Sequence, residues 1–276
     1  MAMTPAECQR VSDTIDRITL SAYNAKTSIV SAEEGRVICD PPRKGVVIMA
    51  FGPTSQQVAS FQQDPSWEIW GLNNGYYHAT AFEASGTPGV LRVDRWFEIH
   101  EMHAQPSDDL IWMNKCPVPL YVADLAKTRE YGPMPNAVQF PRERLQQEIG
   151  IGAWWACTFA YQIALAIQEG FTKIALLGME FGSPREWVME RPNVLWWSAY
   201  AAGRGIEIVM PKDSTFMQHP YAYGMHYDHE KLWCEMRIDN LMEQWGYART
   251  PEGKAEHDRY QAGLIAALPE TTPWAV

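Results

Sequence analysis

The residues best suited to chemistry follow the first long apolar run of the chain, between Gly45 and Val58. Val46 to Ala50 is continuous and rich in β-branched residues, which predicts a central strand covered on both faces. In the run that follows, Gly52 allows a sharp turn because it has no Cβ, and Pro53 has a φ angle already fixed for a turn. The hydroxyls of Thr54 and Ser55 are able to cap a helix. The N–H groups at a helix N-terminus attract anions. The segment therefore predicts either a nucleotide-phosphate loop or an ordinary strand-to-helix turn, and it matches neither the P-loop pattern nor G-x-G-x-x-G.

Further candidate site residues follow other predicted strands. Asn73 and Asn74 follow a strand at 67–72, and His100-Glu101-Met102-His103 follows a strand at 95–99. Glu180 follows a strand at 173–177. Because ligands of open parallel sheets bind outside the carboxyl ends of the strands, we expect these side chains to converge on one cleft.

Each of these residues has more than one interpretation. The amides of Asn73 and Asn74 either contact a ribose, base or sugar or simply form a turn. His100 and His103 would point to opposite faces at a strand end, which disfavours zinc. The other interpretations of these two histidines are a general base, a phosphate contact or a structural residue. Glu180 either holds a hydroxyl, acts as a base, caps the next helix or pairs with an arginine.

Two later segments add candidates. Arg142 and Arg144 follow a Pro-rich stretch, 132–141, that is too long for a simple connection, and they form either a phosphate clamp or a solvated helix start with Glu143. The aromatic loop from His219 to Gly224 either covers a substrate or packs under the C-terminal helix.

The order of elements predicts an α/β fold. Strands at 46–50, 67–72, 95–99, 118–122, 173–177 and 206–210 alternate with helices at about 55–63, 152–168 and 193–202. This alternation is typical of right-handed βαβ units, and it predicts a doubly wound, mostly parallel, Rossmann-like sheet. We assign residues 1–43 to a polar lead segment with a helix at 4–20, residues 44–224 to a nucleotide-binding core, and residues 225–276 to a helical C-terminal extension.

Composition limits the function classes. The 276 residues carry a formal charge of −10, which disfavours a broad nucleic-acid interface. Five scattered cysteines without C-x-x-C spacing indicate reduced thiols and a cytoplasmic location. No apolar run approaches the roughly 18 residues of a membrane helix, so no membrane partner is expected.

The block from Ala156 to Phe181 joins a small-residue helix, Gly-aromatic-x-x-Ile, and a strand ending in glycine and an acidic residue. With the Gly52–Ser55 loop and Asn73, it resembles bacterial sialyltransferases that use CMP-sialic acid. The block is also similar to the family related to archaeal 6-hydroxymethylpterin diphosphokinase. Residues 95–100 and the pair Tyr223-Gly224 resemble segments of uncharacterised tailed-phage proteins. The likeness covers roughly residues 44–224.

The resemblance implies roles for individual positions. Gly52 to Ser55 would contact a nucleotide phosphate or ribose, Asn73 the nucleotide, and Tyr221 or Tyr223 the departing phosphate. The chain departs from the sialyltransferase pattern in having Phe51 before the loop glycine and Glu180 instead of aspartate. The base histidine of that family corresponds to either His100 or His219.

These observations predict a transferase that uses a nucleotide-sugar as substrate, needs no cofactor or metal, and glycosylates a hydroxyl, for example on a modified DNA base in a phage. A histidine would deprotonate that hydroxyl, and Arg142 or Arg144 would stabilise the leaving phosphate. One alternative is diphosphate transfer from ATP, with Mg²⁺ held by Asp94, Glu101 and Glu180. Another is a non-catalytic nucleotide-binding protein that forms a homo-oligomer.

Overall fold

The computed structural model describes residues 27–39, 42–76, 92–149, 154–181 and 186–217, together with the single residues Gln9 and Ala255. The chain divides into two compact units. One comprises Met1–Glu180 and Met189–Met217, and the other comprises Phe181–Val188 and Gln218–Val276. The first unit contains the whole seven-stranded sheet. Apart from Gln9 and Ala255, the predicted helix at 4–20 and the predicted helical extension at 225–276 lie outside the described residues.

The secondary structure of the described residues consists of nine strands, five α-helices and a few shorter turns. The strands are β1 Thr27–Ser31, β2 Arg36–Cys39, β3 Gly45–Met49, β4 Trp67–Leu72, β5 Arg95–Glu98, β6 Leu120–Val122, β7 Ala137–Gln139, β8 Lys173–Leu177 and β9 Glu207–Val209. The α-helices are α1 Ser107–Lys115, α2 Leu125–Arg129, α3 Arg142–Ile149, α4 Thr158–Gln168 and α5 Arg191–Gly203. Short 3₁₀ segments cover Pro53–Ser60, Asn73–Gly75 and Met102–Ala104, and a π-helical turn covers Glu186–Glu190.

Seven parallel strands form the central sheet, in the order β7-β6-β5-β4-β3-β8-β9. All five residues of β3 are buried, and Val46 lies between Glu68 of β4 and Ile174 of β8. A strand covered on both faces requires such an apolar run. The structure thus confirms the doubly wound α/β sheet that the sequence predicts.

Aromatic side chains fill both faces of the sheet. On one face, Trp96 of β5 packs edge-on against Trp112 of α1, with ring centroids 4.8 Å apart. On the other face, Trp70 of β4 packs on Phe97 of β5 at 5.1 Å. Burial of one such large apolar side chain contributes about 1.5–3 kcal/mol. The core therefore holds the strand ends at fixed positions, which a binding site requires.

The direction of strand addition reverses between β3 and β8. From β3 the chain adds β4, β5, β6 and β7 on one side, and it then crosses back to place β8 and β9 on the other. In open α/β sheets, the crevice at such a reversal is where ligands bind. The loops after β3 and β8, which contain Gly52–Ser55 and Glu180, flank this position.

Four regions differ from the sequence predictions, and the first is the predicted helix at about 55–63, which is a 3₁₀ segment over Pro53–Ser60. The lead segment contains an antiparallel hairpin, β1–β2, and the predicted loop at 132–141 contains β7. The predicted helix at 152–168 begins only at Thr158, because the preceding Cys157 is extended with φ −158°. Strands of three to five residues are too short for their periodicity to be read from sequence. Among the described residues, no helix has the length and apolar character needed to cross a membrane.

Candidate functional site at the carboxyl edge of the sheet

Backbone and side-chain hydrogen bonds join the loops after β3 and β8. The Gly52 amide donates to the Gly178 carbonyl at 2.9 Å. In return, the Gly178 amide donates to Thr54 Oγ1 at 2.8 Å, and Thr54 Oγ1 donates to Glu180 Oε1. Thr54 and Ser55 are both buried. The Thr54 hydroxyl is thus a fixed bridge across the crevice where the strand order reverses.

Gly52 lies in direct contact with the Glu180 carboxylate. A Cβ added at Gly52 would lie 1.6 Å from Glu180 Oε2 and 2.8 Å from the Gly178 carbonyl oxygen, so only glycine fits. No group among the described residues hydrogen-bonds the buried Oε2 atom. A buried acceptor without a donor is costly, and each such atom in a native protein calls for an explanation. The Oε2 atom is therefore suited to receive a hydroxyl or amine of a ligand.

The loop does not present a row of free N–H groups to an anion. The Gly52 amide is bonded to Gly178, the Ser55 amide donates to the Gly52 carbonyl at 2.9 Å, and Pro53 has no N–H. The predicted cap by Thr54 or Ser55 is wrong, because Gly52 occupies the N-cap position and no side chain caps the segment. The Thr54 hydroxyl is instead engaged by Gly178 and Glu180. A neutral hydroxyl suits this loop better than a phosphate.

Asn73 combines the two interpretations that the sequence leaves open. It has a left-handed backbone with φ 46°, at the start of a 3₁₀ turn, and Asn tolerates this conformation better than most residues. Its Oδ1 atom accepts a hydrogen bond from Thr158 Oγ1 at 3.2 Å. The neighbouring Asn74 is exposed. Asn73 is therefore both a turn residue and a link between β4 and the first turn of α4.

His100 forms a pair with a buried carboxylate. Its Nδ1 lies 2.6 Å from Glu98 Oε1, and Glu98 also accepts from the Gln105 amide at 3.2 Å. The Glu98 side chain is 2% exposed and that of His100 is 56% exposed. The bond to Glu98 raises the pKa of His100, burial opposes the rise, and Glu98, Glu190 and Asp109 add to it electrostatically. With Nδ1 engaged, Nε2 is the nitrogen left to exchange a proton with a substrate.

We expect replacement of Glu98 by glutamine to lower the pKa of His100 toward the 6.5 of an unperturbed histidine. A raised pKa in the folded state adds stability below pH 6.5, and this stability is lost as the pH rises through the folded-state pKa. The stability advantage of wild type over E98Q should therefore be larger at pH 5.5 than at pH 8.5. The measurement is an NMR titration of the imidazole Cε1–H signal, assigned with H100N. An identical pKa in wild type and E98Q would contradict the pairing.

The second histidine of this segment is not near a cation-binding cluster. His103 is 70% exposed, and its Nδ1 lies 3.3 Å from Glu101. Within the described residues, no group of three or more His, Cys, Asp or Glu side chains converges for a metal ion. Asp94, which the magnesium alternative requires beside Glu180, instead lies at the amino end of β5 and pairs with Arg43 and Arg92. The structure contradicts that set of three ligands.

The two arginines of the predicted phosphate clamp point to different edges of the sheet. Burial raises the pKa of Tyr161 in α4, and the adjacent Arg142 guanidinium opposes this rise, so the two groups are neighbours. Arg144 donates to Gln168 at the far end of α4 and lines a cavity at the amino edge. The predicted two-arginine clamp is therefore not formed. Arg142 lies at the exposed start of α3, 3.5 Å from Glu143, as the alternative of a solvated helix start predicts, and it alone of the two neighbours the first turn of α4.

Two residues of the carboxyl edge were missed by the sequence analysis. Glu98 had a usable signal, because residues two apart on a strand face the same side, which places Glu98 beside His100. Thr158 had none, since only the tertiary fold brings it to Asn73. Glu190 acts electrostatically on both His100 and Cys157. It adds to the rise in the pKa of His100, and it adds to the rise in the pKa of Cys157, which burial brings to about 12. His219, Tyr221 and Tyr223 lie outside the described residues.

Comparison with known proteins gives a likeness in structure but none in sequence. No protein-family model matches the chain, and no curated protein matches it. Among solved structures, it is similar to the sialyltransferase CstII from Campylobacter jejuni in complex with a substrate analogue, cytidine-5′-monophosphate. The identity is 12% and the TM-score 0.41, over 69% of this chain and 99% of the other.

Proposed function

We propose that the protein is a metal-independent glycosyltransferase that binds a nucleotide-sugar in the crevice between β3 and β8. The observation that carries the proposal is the reversal of strand order there, with Glu180 Oε2 buried and without a donor beside Gly52. The crevice at a reversal is the general ligand position of open α/β sheets. A carboxylate oxygen that lacks a donor fits the hydroxyls of a ribose or sugar.

Other polar groups near the first turn of α4 are assigned to the nucleoside and the phosphate of the nucleotide-sugar. Thr158 and Tyr161 lie three residues apart on α4, so they share one face of its first turn. Asn73 contacts the former and Arg142 neighbours the latter. In our proposal Asn73 holds the nucleoside, and Arg142 faces the phosphate, whose negative charge grows as the sugar leaves. Arg144 takes no part.

The chemical step assigns the base role to His100. Nε2 removes the proton from the acceptor hydroxyl, the oxygen forms a bond to the anomeric carbon, and the bond from that carbon to the phosphate oxygen breaks. The electron pair of the broken bond leaves on the nucleotide. Glu98 orients the ring and stabilises the imidazolium that forms. His219 and Tyr223 remain predictions from sequence, as does a modified DNA base as acceptor.

The test is a thermal-shift panel of CMP, UMP, UDP, GDP, ADP, ATP, NAD and common nucleotide-sugars, each with and without Mg²⁺. A ligand at about 100 times its Kd should stabilise the fold by roughly 2.7 kcal/mol. We expect a metal-independent shift with one pyrimidine nucleotide. A shift with ATP and Mg²⁺ alone would favour diphosphate transfer, and no shift with any nucleotide would contradict the proposed site.

Variants separate binding from catalysis. E180Q should weaken nucleotide binding at least tenfold, whereas E207Q, which removes an exposed carboxylate from β9, should leave it unchanged. H100N should keep nucleotide binding and lose sugar transfer to acceptor hydroxyls. The transfer is measured as the release of free nucleotide. If wild type binds the nucleotide tightly but transfers no sugar to any acceptor or to water, a non-catalytic binding protein would be the better description.

A further inference from the structure

A second cavity lies at the amino edge of the sheet, opposite the candidate site. Its volume is about 300 Å³, and it lies between the β1–β2 hairpin and the first residues of β4 and β5. This volume is at the lower end of the range for small-molecule sites. Its charged lining comprises Arg36, Arg43, Glu68, Arg95, Arg144 and Glu169. Nothing in the proposed transfer reaction uses these groups.

The hairpin that forms one wall of this cavity is fixed to the sheet. The Gln139 amide of β7 donates to the Ala32 carbonyl at 2.7 Å, and the Tyr121 hydroxyl donates to the Gly35 carbonyl at 3.3 Å. Gly35 has φ 67°, and a Cβ there would lie 2.3 Å from the Gln139 carbonyl oxygen. The turn therefore requires glycine to dock this closely, and the cavity is built rather than incidental.

The charges of the lining favour an anionic occupant. Four guanidinium groups face two carboxylates, and both carboxylates are already bonded to Arg95, at 2.8 Å to Glu68 and 2.8 Å to Glu169. Arg43 is paired with Asp94 behind the wall. Arg95 thus binds both inner carboxylates, and Arg36 lies 3.6 Å from the exposed Glu34. Among the described residues, Arg144 has no carboxylate within hydrogen-bond distance, and its positive charge favours an anion.

Arg144 supplies a donor that has no acceptor. Its Nε is buried, and no described group accepts a hydrogen bond from it. Its Nη2 donates to the neutral Gln168 amide at 3.3 Å, and the nearest carboxylate oxygen, on Glu148, lies 4.0 Å from Nε, beyond hydrogen-bond distance. A buried guanidinium N–H without an acceptor is costly. A carboxylate or phosphate oxygen in the cavity would satisfy it.

A neighbouring cavity provides a contrast within the same region. It also includes Arg144, but its other charged residues are Glu33, Glu34 and Glu143. Three carboxylates against one guanidinium would repel an anion. An anion at Arg144 is therefore expected on the side of the first cavity.

We propose that the cavity at the amino edge is a second ligand site, which binds a small anion bearing a carboxylate or phosphate group. Arg144 donates from Nε, and Arg36, 55% exposed on the hairpin and 3.6 Å from the exposed Glu34, completes the mouth. The site is independent of the nucleotide site and does not rest on the transfer reaction.

The test uses isothermal titration of the full-length protein with two probes, inorganic phosphate and malonate, in separate experiments. We expect saturable binding of at least one probe, and the responding probe identifies phosphate or carboxylate as the recognised group. R144Q should weaken this binding at least tenfold and R36Q several-fold. R204Q, a matched loss of one guanidinium at the exposed end of α5, should bind as wild type does.

Several results would overturn the second site. The first is the absence of saturable binding of either probe to wild type, and the second is an unchanged Kd in both R144Q and R36Q. The third is loss of binding in E180Q or R142Q, because that loss would place the anion at the carboxyl edge. If circular dichroism shows that R144Q does not fold, the comparison of anion binding between R36Q and the control R204Q decides whether the site exists. Because E180Q tests the nucleotide site separately, failure of one site is distinguishable from failure of the other.

Discussion

Replacement of Arg95 by methionine is expected to destabilise the protein by about 3–5 kcal/mol. Arg95 is buried in the sheet, where its Nε lies 2.8 Å from Glu68 and its Nη1 2.8 Å from Glu169. The Glu68 side chain is only 2% exposed, so the substitution leaves a buried carboxylate without its counter-ion. The measurement is the free energy of unfolding from urea denaturation, followed by tryptophan fluorescence.

An exposed ion pair at the same edge of the sheet provides the control. Lys173 Nζ lies 2.8 Å from Glu207 Oε2, but these side chains are 46% and 57% exposed. Because solvent screens such a pair, K173M should cost less than about 1 kcal/mol. If R95M does not fold, the double variant E68Q/R95M should recover folding, since it removes the charge of Glu68, the more deeply buried of the two carboxylates that lose Arg95. Equal losses in R95M and K173M would contradict the role of burial.

Replacement of Gly52 by alanine should abolish nucleotide binding and destabilise the protein by about 1–3 kcal/mol, the usual cost of overpacking. Gly52 has φ −68°, which alanine adopts without strain, so the cost arises from contacts alone. Those contacts are the Glu180 carboxylate at 1.6 Å and the Gly178 carbonyl oxygen at 2.8 Å. The Glu180 carboxylate can move away from an added methyl group, whereas the Gly178 carbonyl belongs to the backbone directly after β8 and cannot.

A double-mutant cycle separates these two contacts. E180A removes the carboxylate, so G52A should cost less stability in an E180A background than in wild type, but the contact with Gly178 should keep the cost above zero. Nucleotide binding should not return, because Glu180 is itself a binding group in our proposal. The control is G203A, where the added methyl meets no atom within 4 Å and should change stability by less than about 0.5 kcal/mol. A cost for G52A no larger than that of G203A would contradict the geometry.

The central strands of the sheet were predictable because they are short runs made up largely of apolar and aromatic residues and bounded by turn residues. The predicted bounds of 67–72 and 173–177 coincide with β4 and β8. The hairpin β1–β2 and strand β7 were not predictable, because their residues gain stability from tertiary contacts rather than from a periodic pattern. The bond from the Gln139 amide to the Ala32 carbonyl, for example, joins residues of both elements that are far apart in sequence.

The candidate site was predictable in its location but not in its chemistry. Strand ends indicated Gly52, Asn73, His100 and Glu180, and a parallel sheet places the ends of its strands on one edge. The sequence suggested a phosphate loop at Gly52, but hydrogen bonds between loops occupy its amides. Such bonds depend on β8 lying beside β3, which local sequence does not encode. In our proposal, only the assembled sheet makes this loop suited to a ligand hydroxyl.

The reversal of strand order also has a consequence for how the chain is made. The Thr172 hydroxyl at the start of β8 donates to the Lys44 carbonyl before β3, 128 residues away. During synthesis, one edge of the most apolar strand therefore stays open until β8 has left the ribosome. Open strand edges are templates for pairing with other chains, and long-range parallel pairing is slow to form. The topology that creates the crevice thus leaves every nascent or truncated chain that ends before Lys173 with an unprotected central strand, open to self-association.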